Sequence, residues 1–454
     1  MQIETSVLLF NRDLRVHDHP ALVAAARAER IMPLFVFDER LLGSRFAAPN
    51  RVAFMLEALR DLDRSLRAAG TRLYVRRGDP AGETLAVARE CGAGAVHASA
   101  DWSAFARGRE RRLARACAEA GIEFHTHPGT TILEPGAVTP TGGDHFKVFT
   151  PYFRAWEEAP PRPVAAKPRR LRVPSGLRTG RLPALGSLVD GRPSPRRARG
   201  GESEGRRRMR AFLRDGLAGY EDAHDDLAAD LTSGLSPYLR FGCVSALELL
   251  REARARPIGA AFARQLCWRD FHHQVLAAFP ALPRRDYRPR GDRWSRSRRS
   301  FDAWREGRTG VPIVDAAMRQ LRREGRMHNR ARMIAASFLV KDLYLDWRWG
   351  AEHFLDLLVD GEIANNAGNW QWVAGTGNDT RPNRVFNPSR QAARFDPDGE
   401  YVRRYVAELR GVEGGAVHEP WRLPVAVRRG IDYPEPIVDH DEAVARFLGR
   451  RDGD

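Results

Sequence analysis

The hydrophobic period of this chain changes once, and that change constrains its architecture more than any other feature. Over the first third, short apolar runs at Ser6–Phe10, Ile31–Asp38, Arg72–Arg76 and Ala95–Ser99 alternate with helical stretches at Pro20–Arg30, Asn50–Gly70 and Arg107–Gly121. Runs that short suit buried strands better than helices. Strands separated by helical stretches predict a parallel, doubly wound sheet, because a parallel crossover needs a helix to bring the chain back. From Arg206 onward apolar residues recur at three- and four-residue spacing, as in Ala261–Ala278, Ile313–Arg323 and Ala331–Leu343. That spacing predicts an all-helical second domain. The expected fold is therefore α/β plus all-α: a Rossmann-like domain over 1–135 and a helical domain over 206–454. No GxGxxG follows the first strand, so an ordinary dinucleotide site is not expected there.

The intervening 136–205 is expected to be an interdomain linker. From about Ala159 to Gly205 it is rich in Pro, Arg and Gly and nearly free of acids before Glu202. It shows no apolar periodicity, and repulsion among its arginines predicts an extended path.

A chain of 454 residues that is 43% hydrophobic can fill more than one core. Its net charge of +16 points to a polyanionic partner. The plainer reading is a general preference for Arg over Lys. No apolar stretch is long enough to span a bilayer. The opening Met1–Arg15 is not expected to be a signal peptide, since charges follow its short apolar run at once. Cys91, Cys117, Cys243 and Cys267 never approach a CxxC spacing. They are expected to be reduced, small hydrophobes, with no metal site and a cytoplasmic setting.

Four segments of the helical half carry unusual chemistry. In Leu231–Tyr238, hydroxyls and a glycine precede a helix start marked by Pro237, where N–H groups and hydroxyls can hold a phosphate. Ser-Pro is equally an ordinary helix cap. In Gln265–Asp270, an amide, an indole and a guanidinium fall within one helical turn; an amphipathic helix with a solvated Arg explains them as well. In Met327–Met333, Asn329 and Met333 are four apart and share a face, while Arg330 and Arg332 point to other sides. Asp360–Trp372 packs two acids, three asparagines, two glycines and two tryptophans into one stretch. A plain core helix avoids Asn and Gly, so this segment fits a ligand-lining role better than a packing role. Trp recurs through the helical half at positions that core packing alone would explain one by one.

These segments, taken in order with Phe10–Pro20, Gly310–Met318, Ala336–Asp342 and Phe386–Pro388, resemble the photolyase/cryptochrome family. Within it the order is most similar to the microbial cyclobutane-dimer photolyases. The resemblance covers nearly the whole chain apart from the linker. It implies a helical domain that binds FAD, damaged DNA as partner, no membrane, and a monomer. It implies light-driven repair of cyclobutane pyrimidine dimers by an enzyme of the deoxyribodipyrimidine photo-lyase type. A blue-light photoreceptor or a (6-4) photolyase is the alternative. That the chain ends soon after Val438–Asp441 is taken to favour repair.

By the same resemblance, Thr232, Ser233, Leu235 and Ser236 hold the pyrophosphate, with Tyr220 at the edge and Arg269 facing the phosphates. Arg332 and Asp360 form an ion pair beside the flavin. Asn366 faces flavin N5. Glu362 stands where an Asp is usual and is one methylene longer, as a contact to the flavin or ribityl chain, and Arg326 stands where some members have Trp, at the cost of an aromatic wall. Trp370, Trp347 and Trp294 match the family's electron-transfer series, with Trp294 at the surface. Trp268 and Trp372 wall the cavity for a flipped lesion, a step already attributed to photolyases in general. Asn329 and Met333 touch the pyrimidine edges, and Arg330 and Arg384 hold flanking phosphates. Gln265 departs from the Glu usual in cyclobutane-dimer enzymes, while Asn329 departs from the His of (6-4) enzymes. An antenna chromophore of the 8-hydroxy-5-deazaflavin type is favoured over folate, because Phe105–Glu110 resembles members that bind it and Phe279–Arg285 has no Lys.

Overall fold

The computed structural model describes residues 3–256 and 258–451. Five parallel strands, β1 Thr5–Phe10, β2 Arg30–Asp38, β3 Tyr74–Gly78, β4 Ala95–Ser99 and β5 Glu123–His127, form one sheet in the order β3-β2-β1-β4-β5. This is the doubly wound arrangement. Val7, Leu9, Val96 and Ala98 pack under the helices Pro80–Glu90 and Ala104–Glu119, while Leu8 and Phe10 meet Pro20–Ala25 and Pro49–Ala68 on the other face. Burial on both faces is why β1 and β2 read as continuous apolar runs. β5 carries Glu123, His125 and His127 at an exposed edge and gave no such run. The strand expected at Arg72–Arg76 lies at Tyr74–Gly78.

The helical domain is centred on Ala260–Ala278, which packs against Ile363–Ala374. The two domains share one hydrophobic core. Phe54 of the α/β domain stacks on Phe241 at 4.8 Å and meets Tyr238 edge-on at 5.3 Å.

The 136–205 stretch differs from the expected linker. It contains a helix, Phe149–Glu158, with Phe149, Tyr152 and Trp156 buried. These residues recur at helical spacing and dock on Ala260–Ala278, where Tyr152 lies 5.5 Å from Phe271. Beyond it, up to the helix Glu202–Ala211, the chain is irregular apart from a 3-10 turn at Leu185–Ser187, as its composition implies, but it is tied down at several points. Leu171 N–H donates to Ala69 O, Ile31 N–H to Arg172 O and Val75 N–H to Thr179 O, at 2.7–2.8 Å. Arg162 pairs with Asp18 and Arg197 with Glu57. Partner acids from the α/β domain thus offset the repulsion expected to keep these arginines apart. Among the described residues no helix is long and apolar enough to cross a membrane, and the four cysteines are unpaired.

Candidate active site

One cavity of about 510 Å³ opens in the helical domain between Ala260–Ala278, Asn329–Ser337, Ile363–Ala374 and the loop before Ser236. It gathers Tyr220, Thr232, Ser233, Leu235, Ser236, Gln265, Trp268, Arg269, Asn329, Arg330, Arg332, Met333, Asp360, Glu362, Asn366, Trp370 and Trp372. Trp294, Trp347 and Arg384 lie outside its lining. A depression of similar size between Leu42–Pro49 and Gly186–Asp190 is an open surface groove that contains none of these residues.

Asp360 and Arg332 pair across the cavity, Nη2 to Oδ2, at 2.8 Å. The Ser236 hydroxyl donates to the same Oδ2 at 2.6 Å. Burial pushes the Asp360 carboxyl up, but Arg332 and then Ser236 outweigh it and hold its pKa below the ordinary value. Its Oδ1 is buried with no partner among the described residues, as is Nδ1 of His272 in the same cavity. Burial lowers the His272 imidazole to about 4, so it is neutral at pH 7. Nothing singled out His272 in the sequence, although it lies one helical turn beyond Trp268.

The hydroxyl loop is held by its own unusual backbone. Asp230 has φ +47° and Gly234 φ +61°. Thr232 Oγ1 donates to Asp230 Oδ1 at 2.9 Å. Arg326, expected only as a lost aromatic wall, pairs with Asp230 and donates to Thr232 Oγ1 at 2.9 Å. Its effect is to fix the loop. Arg269 borders the cavity while its Nη1 donates to Thr130 O at 2.7 Å. Tyr220 lies against Phe262 at 5.3 Å, and burial raises its phenol to about 12.

Glu362 lines the cavity and is also engaged within the protein. Its Oε1 lies 3.2 Å from Arg12 Nη1, and its Oε2 accepts from Asn365 N at 2.9 Å and Asn365 Nδ2 at 2.7 Å. It therefore caps the Ile363–Ala374 helix and bonds the two domains. Burial pushes its pKa up, but His273 and Arg12 hold it well below the ordinary value. Asn366 Nδ2 donates to Ala351 O at 3.0 Å, leaving the amide oxygen as an acceptor.

Toward the mouth, Gln265 and Asn329 are exposed, and Asn329 Nδ2 lies 3.9 Å from Met333 Sδ. One face of Trp268 is taken by Phe149, stacked at 3.6 Å and nearly parallel. The Arg384 guanidinium sits 5.3 Å from the Trp372 ring centroid. Arg330, expected to reach a phosphate, is paired with Asp225 and lies over Phe395 at 4.2 Å.

Trp370 is buried at the cavity wall and meets Phe354 at 4.9 Å and Trp304 at 6.1 Å. Gly350 makes this possible, since a Cβ there would fall 2.1 Å from Trp370 Cη2. Trp347 is fully buried, with its Nε1 donating to Asp286 at 2.8 Å. Trp294 is half-buried against Tyr344. In the α/β domain, Phe105–Glu110 forms the first turns of Ala104–Glu119, and Glu110 Oε1 accepts from Asp101 N at 3.1 Å.

Residues 6–169 match a family model described as DNA photolyase, and residues 262–452 match one described as the FAD binding domain of DNA photolyase. A relative from Streptomyces griseus named deoxyribodipyrimidine photo-lyase is 55% identical over 98% of both chains. The solved structure of a bacterial class III photolyase from Agrobacterium tumefaciens superposes with a TM-score of 0.92 at 32% identity, covering 100% of this chain and 98% of its own. A Synechocystis cryptochrome also reaches a TM-score of 0.92, at 29% identity over 98% of both chains. The parallel sheet, the helical cavity and an alignment running nearly end to end thus agree, and the chain belongs to the photolyase/cryptochrome family.

Proposed function

We propose that this enzyme splits cyclobutane pyrimidine dimers in DNA under light, with FAD held in the helical cavity. The observation that carries the reading is convergence. Four sequence segments spread from Leu231 to Trp372 supply one cavity, with the Asp360–Arg332 pair and a hydroxyl loop on its lining and Trp268 and Trp372 on its walls. The residues fit such a cofactor. Hydroxyls and guanidinium groups suit a pyrophosphate, and the unpartnered Asp360 Oδ1 is an acceptor that a buried ligand would satisfy.

Bound and reduced, FAD supplies the photoexcited electron that opens the dimer and is returned afterwards. The protein's own residues bind, orient and exclude water. Thr232, Ser233, Leu235, Ser236 and Arg269 hold the pyrophosphate, with Tyr220 beside it. Asn366 offers its amide oxygen to a protonated ring nitrogen, and the neutral His272 adds no charge beside it. Glu362 keeps Asn365 and its helix in place. Trp268 and Trp372 receive the flipped lesion, while Gln265, Asn329 and Met333 meet its edges. Arg384 is free to hold a flanking phosphate. Arg330 is committed to Asp225 and reaches DNA only if that pair opens. Trp370, Trp347 and Trp294 carry electrons inward to restore the reduced cofactor.

The test is repair of defined cyclobutane and (6-4) lesions by the reduced enzyme, in light and in darkness. Light-dependent loss of cyclobutane dimers alone is expected. The second reading, a photoreceptor without repair, is motivated by Gln265 and by the likeness to the Synechocystis cryptochrome. It requires that neither lesion be repaired. The monomer reading is checked by sedimentation. The deazaflavin reading of Phe105–Glu110 is checked by mass spectrometry of the chromophores released from the native protein.

A further inference from the structure

Tyr344 has φ +50°. For a bulky side chain this left-handed backbone is strained, and such strain persists where surrounding structure enforces it, often at functional positions. Among the described non-glycine residues only Asp18 and Asp230 share a positive φ, and aspartate tolerates it more readily. At Tyr344 the strained turn does two things. The Tyr344 carbonyl accepts the Ser295 N–H at 2.8 Å, tying it to the residue after Trp294. The phenol ring is held 5.0 Å from the Trp294 ring, centroid to centroid.

The far end of the ring is equally defined. Tyr344 Oη donates to Asp292 Oδ1 at 3.2 Å. Arg451, on the helix His440–Arg451, binds Asp292 through Nε at 3.1 Å and Nη2 at 2.6 Å. The Asp292 side chain is only 2% exposed and Tyr344 is 6% exposed. Arg450 places its guanidinium 4.3 Å from the Tyr344 ring centroid. A buried phenol tilted against an oxidisable indole and bonded to a buried carboxylate is more than packing requires.

We propose that Tyr344 is a terminal electron donor to Trp294, with Asp292 as the acceptor of its phenolic proton. The proposal rests on the reading of Trp370, Trp347 and Trp294 as an electron path, whose oxidant is the photoexcited flavin. The step balances within the three residues. The Trp294 radical cation gains one electron and becomes neutral indole. Tyr344 loses that electron while its O–H bond breaks, and the proton passes along the existing hydrogen bond to Asp292 Oδ1. The products are neutral Trp294, a neutral tyrosyl radical and a protonated Asp292. An oxidised phenol is a far stronger acid than a carboxylic acid, so even a carboxylate held by Arg451 accepts the proton. The Arg450 guanidinium over the ring makes a positive tyrosine costly, so electron and proton must leave together. Burial, with Asp292, also keeps the resting phenol protonated.

The experiment is flash excitation of the FAD-loaded full chain, read by transient absorption and electron paramagnetic resonance. In the wild type, a tryptophan radical should decay into a neutral tyrosyl radical, more slowly in D₂O than in H₂O. Tyr344→Phe keeps the ring and its packing. It should abolish the tyrosyl spectrum and prolong the tryptophan radical by about ten-fold or more. Asp292→Asn should slow tyrosyl formation by a similar factor. Trp294→Phe separates the two layers of the argument. If Trp294→Phe leaves light-driven radical formation unchanged, the tryptophan path itself is wrong. If Trp294 radical forms in the wild type and no tyrosyl follows, or if Tyr344→Phe leaves the tyrosyl signal intact, the assignment of Tyr344 is overturned while the path stands.

Discussion

Arg12, just past the end of β1, places its Nη1 3.2 Å from Oε1 of Glu362, across the interface between the two domains. The crevice at the carboxyl ends of β1 and β4 is where a doubly wound sheet ordinarily takes its ligand. Here Arg12 spans it, also lying 3.5 Å from Asp101. The bond therefore couples the sheet directly to the helix that carries Asn366 and Trp370.

Glu362→Ala is expected to destabilise the protein by about 1–3 kcal/mol, because it leaves half-buried Arg12 with only the longer contact to Asp101 and removes a helix cap. Glu362→Gln keeps an oxygen for Asn365 N–H and should lose less. Denaturant unfolding at pH 7 measures both. A loss below about 1 kcal/mol for the alanine variant would show that the pair does not hold the domains.

Asp18 ties the α/β domain, the irregular segment and the helical domain together through Arg162, Ala165 N–H and Ser245. Burial raises its pKa, but these bonds outweigh it and bring it from an ordinary 3.8 to about 2. A folded pKa below the unfolded one means that the stabilisation is fully present above pH ~4 and is lost as pH falls through ~2. It amounts to about 2 kcal/mol. Asp18→Asn should be less stable at pH 7 and show a flatter stability curve between pH 4 and 2. An unchanged curve would remove Asp18 from the account of acid sensitivity.

Trp370→Phe should retain FAD but lose light-driven reduction of it, while chemically reduced enzyme still repairs. Gly350→Ala should disturb the same ring by overpacking, at a cost of about 1–3 kcal/mol. Normal photoreduction in Trp370→Phe under blue light would rule out the tryptophan path.

Arg384 is exposed and pairs with no acid among the described residues, so Arg384→Ala should lower the slope of log binding constant against log salt by about 0.9. Arg330→Ala should change that slope much less, since Asp225 already neutralises the group. Titration of damaged duplex across salt concentrations reads both slopes. Equal changes in the two variants would mean that the Arg330–Asp225 pair opens on DNA.

Gln265 and Glu are close in size, so Gln265→Glu should fit without repacking and match or raise the yield of dimer splitting. Gln265→Leu leaves a pyrimidine edge unpaired and should weaken lesion binding by about 1–3 kcal/mol. Quantum yield and lesion affinity of the reduced enzyme test this. Full activity in the leucine variant would remove Gln265 from the lesion contact.

The sequence by itself determined what depends on period and local chemistry. β1, β2 and β4 were legible because burial on both faces leaves uninterrupted apolar runs, whereas β5 was hidden because an edge strand can afford Glu123, His125 and His127. The helix Phe149–Glu158 was hidden by the Pro- and Arg-rich chain that follows it. Asp360–Trp372 was legible as a ligand-lining stretch because its Asn and Gly residues are poor helix material unless something else requires them. Only the tertiary structure decided which charged groups meet. Glu362 lines the cavity and also meets Arg12, 350 residues away in the chain. Arg326 fixes Asp230, Arg330 is spent on Asp225, and Tyr344 adopts a backbone that no residue pattern foretells. The physical reason is common to all four. A period is set by each residue's own preference for water or core. The partner of a buried charge, or the site of a strained turn, is set by which groups the finished packing brings together in a medium where leaving one unpaired is costly.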